Sequence, residues 1–196
     1  MQQTSYDVLI RAARRDDIGP LSVLLTDSFH PPGGAMEILR PLLQLGIRED
    51  LRYRLQKSAS QYACLVAVHR SQLASSHPGI NDDPSEPLPS APLPVVGTLE
   101  LSVRRPWWTG DRYIYISNVA VDRRFRRRGI AQRLLQASEG IGRSWGLSQL
   151  QLHVMADNAP ARQLYGRAGY TVQNDEPRFE ALFQRSRRIS LRKNIA

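Results

Sequence analysis

Asp122-Arg-Arg-Phe-Arg-Arg-Arg-Gly-Ile-Ala131 decides how this chain folds. Five arginines fall within six residues, and a glycine and an apolar stretch follow at once. Charge alone would make the run a patch for nucleic acid. Its flanks point elsewhere. Val119-Ala-Val121 reads as the end of a strand, and Ile130, Leu134, Ala137, Ile141 and Trp145 then recur at helical spacing. Arg133, Gln136, Glu139 and Arg143 can face water. The run is therefore a strand–turn–helix junction. A helix N-terminus carries unpaired N–H groups and a partial positive charge, so a phosphate placed there meets both. Gly129 lets the backbone approach without a Cβ, and small Ala131 keeps the first turn clear. Arg126, Arg127 and Arg128 can add charge-assisted bonds. Neither GxxxxGK(S/T) nor GxGxxG occurs in this turn.

Downstream, Leu150-Gln-Leu-His-Val154 alternates as a strand, with the apolar residues on one face and Gln151 and His153 on the other. Asn158 can cap the next helix, with Pro160 in its first turn. Ala161, Leu164, Tyr165 and Ala168 form a stripe, and Gly169 suits the stop. Residues 170–172 and 188–191 read as the last strands. Upstream, Val8–Ala12 reads as a strand, and Asp16 or Asp17 is expected to cap a helix containing Ile18, Leu21, Leu24 and Leu25. Ser28-Phe-His-Pro-Pro-Gly-Gly34 breaks that helix, and a second runs over about 36–57. Residues 62–68, 95–103 and 113–121 read as strands, the last two adjacent and antiparallel. Pro106-Trp-Trp-Thr-Gly110 falls in their connection, where paired tryptophans read as loop packing rather than a ligand cage. Residues 70–94 hold six prolines and five serines, which suggests a flexible insertion within a single domain spanning 1–196.

The formal net charge is +9, and Lys57 and Lys193 are the two lysines among 27 cations. Arginine suits bidentate contact with phosphate and carboxylate, although codon usage alone can produce such a bias. Excess positive charge implies polyanionic or acidic partners without naming one. No stretch is long and apolar enough to suggest a membrane span. The N-terminal residues show no basic leader with an apolar core, so no secretory signal is expected. Cys64, the one cysteine, sits in a strand-like apolar run and reads as a core thiol rather than a nucleophile. A single cysteine cannot form an intrachain disulfide, which fits a reducing, cytoplasmic location.

Arg126-Arg-Arg-Gly-Ile-Ala131 resembles motif A of the GCN5-related N-acetyltransferase (GNAT) superfamily, (Arg/Gln)-x-x-Gly-x-(Gly/Ala), which in that family binds the pyrophosphate of acetyl-CoA. Val119-Ala-Val121, Leu134-Leu135, Asn158, Tyr165 and Gly169-Tyr170 extend the resemblance over about 113–172. Arg123 stands where many members have proline, which alters the turn without removing the anion site. The resemblance implies an α/β GNAT fold, with a mixed, mostly antiparallel central sheet splayed at the cofactor site and flanked by helices. It implies that the backbone of Val119, Ala120 and Val121 bonds the pantetheine arm of the cosubstrate. Arg126, Arg127, Arg128, Gly129, Ile130 and Ala131 would hold its phosphates. Asn158 would contact the arm as well as cap its helix, and Tyr165 would protonate the departing thiolate; the alternatives are a plain helix cap for Asn158 and a core aromatic on the Ala161–Ala168 stripe for Tyr165. No metal is required.

Acetyl transfer to an amine also needs a base. His153 is the candidate, since an ordinary histidine titrates near neutrality; the alternative is a histidine fixed structurally beside the cleft. Leu152-His-Val154, four residues before Asn158, resembles a segment of protein N-terminal acetyltransferase catalytic subunits, one branch of which uses the matching histidine as base. Ribosomal-protein alanine acetyltransferases of bacteria place glutamate there. In the N-terminal acetyltransferases that the chain resembles, the loop matching Phe29-His-Pro-Pro32 lines the peptide groove, which makes Phe29 a candidate substrate contact, with anchoring in the core as the equal alternative. Tyr113 and Tyr115 point the same way from their strand, and Tyr115 is the second candidate contact. A further resemblance is to plastid and cyanobacterial-type GNATs with a long insertion before a strand. The implied function is acetyl-CoA-dependent acetylation of protein N-terminal α-amines, lysine ε-amines or both, with ribosome association as a further partner expectation. The α-amine, with a pKa near 8 against about 10.4 for lysine, is the easier to deprotonate. The competing readings are a small-molecule amine acetyltransferase and a basic RNA- or ribosome-binding module on the same fold.

Overall fold

The computed structural model describes residues 8–30, 36–56, 61–69, 94–105, 110–173 and 188–195. In chain order these form β1 (Val8–Ala12), α1 (Ile18–Phe29), α2 (Met36–Gln56), β2 (Tyr62–His69), β3 (Val95–Arg104) and β4 (Tyr113–Val121). There follow α3 (Ile130–Ser144), β5 (Gln149–Met155), α4 (Ala159–Arg167), β6 (Thr171–Gln173) and β7 (Arg188–Asn194). The strands make one sheet in the order β1-β2-β3-β4-β5-β7-β6. Only β4 and β5 run parallel. A parallel pair needs a crossover rather than a hairpin, and α3 supplies it.

Sequence periodicity sets which side each helix covers. Leu99, Leu101, Ile114, Ile116, Leu150 and Leu152 are buried against α3, where Ile130, Leu134 and Leu135 meet them. Each such fully buried aliphatic side chain contributes about 1.5–3 kcal/mol. The buried stripe of α3 runs through Leu135, Ser138 and Gly142, whereas Ala137, Ile141 and Trp145 pack only at its margin. Gly142 accounts for that roll: a Cβ there would stand 2.6 Å from Ile195 and 2.9 Å from Ile114, so the glycine lets the helix approach the sheet closely.

On the opposite face, α1 and α2 bury Ile18, Leu21, Leu24, Leu25 and Leu51 against Cys64, Val66, Val68 and Val95. Burial, with the Glu100 carboxylate as a lesser cause, pushes the Cys64 thiol up to about 12, as befits a core thiol. Neither Asp16 nor Asp17 caps α1 with its side chain. Asp17 is 1% exposed and turns back, accepting bonds from the Arg14 amide at 2.6 Å and from both ends of the Arg11 guanidinium. A buried carboxylate is better served by a bidentate arginine than by one helix amide. The break after α1 falls at His30, with Ser28 and Phe29 still helical. Arg40 of α2 reaches back across it to the Asp27 carboxylate and the His30 carbonyl. Among the described residues no helix is long and apolar enough to cross a membrane. The insertion read at 70–94, save Pro94, and the paired Trp107 and Trp108 lie outside the described residues.

Candidate active site

Two departures from regular sheet geometry create the site. On its β3 side, β4 carries a bulge: Thr98 pairs with Ala120 and Glu100 with Ser117, so Asn118 and Val119 together oppose Leu99. Asn118 adopts a left-handed φ of 52°, a conformation asparagine tolerates better than most residues. Its amide donates to Glu100 at 2.9 Å, and Arg54 of α2 donates to the other oxygen of that carboxylate at 2.9 Å. Glu100 is 1% exposed, so these bonds hold a buried charge and pin the bulge to it. On its other side, β4 pairs with β5 only at Ile114–Leu150 and Tyr115–Gln151. Beyond Tyr115 the two strands part, and the backbone of Val119, Ala120 and Val121 is exposed to the gap.

A cleft of about 690 Å³ fills that gap. Val119, Ala120 and Val121 form one wall, and Arg126, Arg127, Gly129, Ile130 and Ala131 form its end. Asn158, Leu164 and Tyr165 of α4 and its cap form the other wall, while Ser28 and Phe29 approach from α1. The end wall is built for an anion. Arg127 and Gly129 have φ of 63° and 75°, whereas Arg126 lies at −64° and Arg128 is not left-handed. Backbone that alternates hand in this way turns successive N–H groups into one concavity, here feeding into the first turn of α3. The arginine side chains divide their work. Arg126 Nε donates to the Val121 carbonyl at 3.0 Å and locks the turn onto the strand. Arg124 is held by Asp122 and keeps that carboxyl below the usual range. Arg128 lies over the Phe125 ring and does not line the cleft, whereas Arg127 does.

Tyr165 is 7% exposed on the inner side of α4. Burial, and secondarily the nearby Tyr115, pushes its phenol up to about 12, so it keeps its proton throughout the neutral range. Asn158 caps α4 by accepting from the Ala161 amide at 3.1 Å, which leaves its NH₂ group for a ligand. Where β4 and β5 are still paired, the Tyr115 hydroxyl lies 3.0 Å from His153 Nδ1. His153 stands outside the lining of the main cleft, on the sheet face away from α3. Phe29 is 51% exposed and available at the cleft mouth. The sequence reading missed Arg167, Gln163 and Gln132, which also line the cleft. Arg167 and Gln163 lie one helical turn apart, and either side of α4 could have faced the gap. It also missed the Tyr115–His153 bond, although strand alternation puts both residues on the non-α3 face. Among the described residues no group of three or more histidine, cysteine or carboxylate side chains could hold a metal ion.

A sheet splayed beside a backbone concavity at a helix N-terminus is a frame that suits an acyl-CoA-dependent transferase. The model of the acetyltransferase (GNAT) family matches residues 53–170, and the chain belongs to that family. GCN5-related N-acetyltransferase 10, chloroplastic, from Arabidopsis thaliana is 31% identical over 206 residues, covering 100% of this chain and 75% of that protein. Among solved structures, the PaiA N-acetyltransferase of Thermoplasma acidophilum in complex with coenzyme A superposes with a TM-score of 0.67 at 15% identity, covering 96% of this chain and 99% of that one. The ribosomal-protein-S18-alanine N-acetyltransferase of Escherichia coli gives 0.59 at 14% identity, over 96% and 94%. At such identities the structural likeness speaks for the fold. The protein is an acyltransferase with acetyl-CoA as its cosubstrate, and the cleft offers groups that suit such a molecule: a backbone concavity for an anion, strand backbone unpaired on its β5 side, and the Tyr165 phenol in the opposite wall.

Proposed function

We propose that this enzyme acetylates proteins, at N-terminal α-amines, lysine ε-amines or both, with His153 as base and Tyr165 as acid. The observation that carries the reading is the Tyr115–His153 hydrogen bond, which sets an imidazole on the sheet face away from α3 and bonds it to the tyrosine whose charge Tyr165 senses. Strands β4, β5, β7 and β6 present that face, and extended surface suits a peptide. The E. coli neighbour, by its name, acts on a ribosomal protein, which supports a protein acceptor.

The chemistry divides among these groups. His153, directly or through the Tyr115 hydroxyl, takes a proton from the acceptor ammonium. The freed amine attacks the thioester carbonyl; a new C–N bond forms and the C–S bond breaks. An N–H of the bulged strand stabilises charge on the carbonyl oxygen. Tyr165 gives its proton to the leaving sulfur, and exchange with solvent resets both residues.

Mass spectrometry after supplying acetyl-CoA and a mixed peptide library tests the proposal. Acetyl groups on α-amines or lysines support it; transfer only to small amines overturns it. The RNA-binding alternative fares worse, because Arg124, Arg126 and Arg128 are engaged within the junction. It predicts salt-sensitive RNA binding that survives saturating CoA.

A further inference from the structure

Cross-strand register shows which charges surround the Tyr115–His153 pair. Residues directly opposite on neighbouring strands share a face. Tyr115 is opposite Gln151, and Gln151 opposite Arg192; His153 is opposite Ser190, and Met155 opposite Arg188. On the other flank Arg104 is opposite Tyr113, two residues from Tyr115. Leu150, Leu152, Ile114 and Ile116, which alternate with Gln151, His153 and Tyr115, are buried against α3, so this is the face away from α3. Lys193, next in sequence to Arg192, confirms the alternation by reaching the other way to Glu139 of α3 at 2.6 Å. Arg104, Arg188 and Arg192 therefore lie on the face that carries the proposed base. The Arg104 guanidinium stacks 3.7 Å from the centre of the Tyr115 ring. Arg192 lies two strands from Tyr115, about 10 Å at ordinary strand spacing.

None of the three meets a carboxylate among the described residues. Arg192 spends its Nε on the Asn194 side chain, at 3.2 Å, and Arg104 on the tyrosine face. Elsewhere Arg11, Arg40, Arg52, Arg54, Arg124 and Arg143 each lie against an acid. The one carboxylate that the described strands place on this face is Glu100, buried under α2 and already bonded to Arg54 and Asn118. Cations thus flank the amine's approach, and no exposed acid on these strands offsets them. Guanidinium groups in this setting bind carboxylates well and repel cationic segments.

On the basis of the protein acceptor proposed above, we infer that this face selects acidic acceptors: peptides with Asp or Glu within about three residues of the acetylated amine, the span that an extended chain needs to cover 10 Å. The arginines are accessible to water, so the preference is modest and salt-sensitive.

The test uses full-length enzyme, acetyl-CoA and three peptides with the same first residue and Glu, Gln or Lys at positions 2–4. The expected order of kcat/KM is Glu above Gln above Lys, with about a tenfold span between the extremes, as for two or three exposed charge pairs. That span should shrink several-fold in 0.5 M salt. Arg192→Glu should invert the order, and Arg188→Glu, at an exposed position, repeats the test should the first variant lose its fold. Equal rates for the three peptides, or an unchanged order in both variants, overturn the acidic preference while leaving protein acetylation standing. Acetylation of none of them at any amine removes the protein-acceptor reading, and this preference with it.

Discussion

The β4–α3 junction and the β5–β7 face belong to one sheet, yet they are built on opposite plans. The junction works through backbone: a bulge at Asn118, left-handed residues at Arg127 and Gly129, and a helix N-terminus. Most of its arginines are tied to their own loop. The face works through side chains that four strands bring together, and its arginines find no acid among the described residues. Backbone devices suit a donor that is always the same molecule. Side chains on an open strand surface suit acceptors that vary. Variants on the donor side should therefore behave as switches, and those on the acceptor side as graded adjustments.

The largest effect is expected at Gly129. Gly129→Val places a β-branched residue at φ 75°, with its Cβ in the open space where phosphate would approach. Losing two charge-assisted bonds, each worth about 1.5–3 kcal/mol, lowers kcat/KM for acetyl-CoA about 1000-fold. Gly129→Asn tolerates the dihedral but still adds bulk, so it separates strain from blockage. If Asn restores full activity, the close approach of phosphate to this backbone is wrong, and the donor side does not depend on bare backbone.

This contrast also explains what could be read in the sequence. Gly129 and the alternating Leu150–Val154 stretch are local: one needs a special dihedral, the other a two-residue period, and both leave their mark on a few consecutive residues. The sheet class, the antiparallel β3–β4 pair, the Asn158 cap and the Gly169 stop were legible for that reason. The Glu100–Asn118–Arg54 linkage was not, since its members lie on three elements separated by up to 64 residues of chain and none belongs to a motif. The cap expected from Asp16 or Asp17 failed because Arg11, six residues away, competes for the same carboxylate. Pairing of His153 with Tyr115 needs the β4–β5 register, which no local pattern encodes.

Tyr165→Phe comes next. A lost general acid costs about 100-fold in kcat, while a buried ring of the same shape keeps KM for acetyl-CoA within about twofold. Steady-state kinetics with acetyl-CoA varied would show the split. A KM effect without a kcat effect would make Tyr165 a wall of the cleft and nothing more.

Asn118→Ala should be milder but instructive. It removes a hydrogen bond to a buried carboxylate, worth about 1.5–3 kcal/mol, and forces alanine to hold φ 52°. The melting temperature should fall by several degrees, and KM for acetyl-CoA should rise about tenfold. Asn118→Gly recovers the dihedral without the bond. If Gly behaves as wild type, the buried Glu100 contact does not shape the bulge.

On the acceptor side, the Tyr115→Phe and His153→Gln variants and their double should show a coupling of about 0.5–3 kcal/mol in kcat/KM for the acceptor, the range for groups in direct contact. Without the base, turnover depends on amine that has already lost its proton. The His153→Gln deficit should therefore shrink as pH rises towards the α-amine pKa of about 8. A deficit constant from pH 6 to 9 would remove His153 as base and leave the pair as scaffolding.

The smallest effect is on alkaline stability, and it bears on how dry the cleft is around Tyr165. Burial raises the phenols of Tyr62, Tyr165 and Tyr170 above their ordinary value, Tyr165 to about 12. In the unfolded chain a tyrosine ionises near pH 10. Between about pH 10 and 12 the unfolded chain thus holds fewer protons than the native one, and stability must fall as pH rises. Below pH 10 both states keep the phenolic protons, and these groups add no slope. The urea midpoint should be lower at pH 11 than at pH 9. Tyr165→Phe should flatten that decline by the share of one proton. A slope unchanged by Tyr165→Phe would mean that this phenol ionises in the native state as it does in the unfolded chain, and that the donor cleft is wet around it.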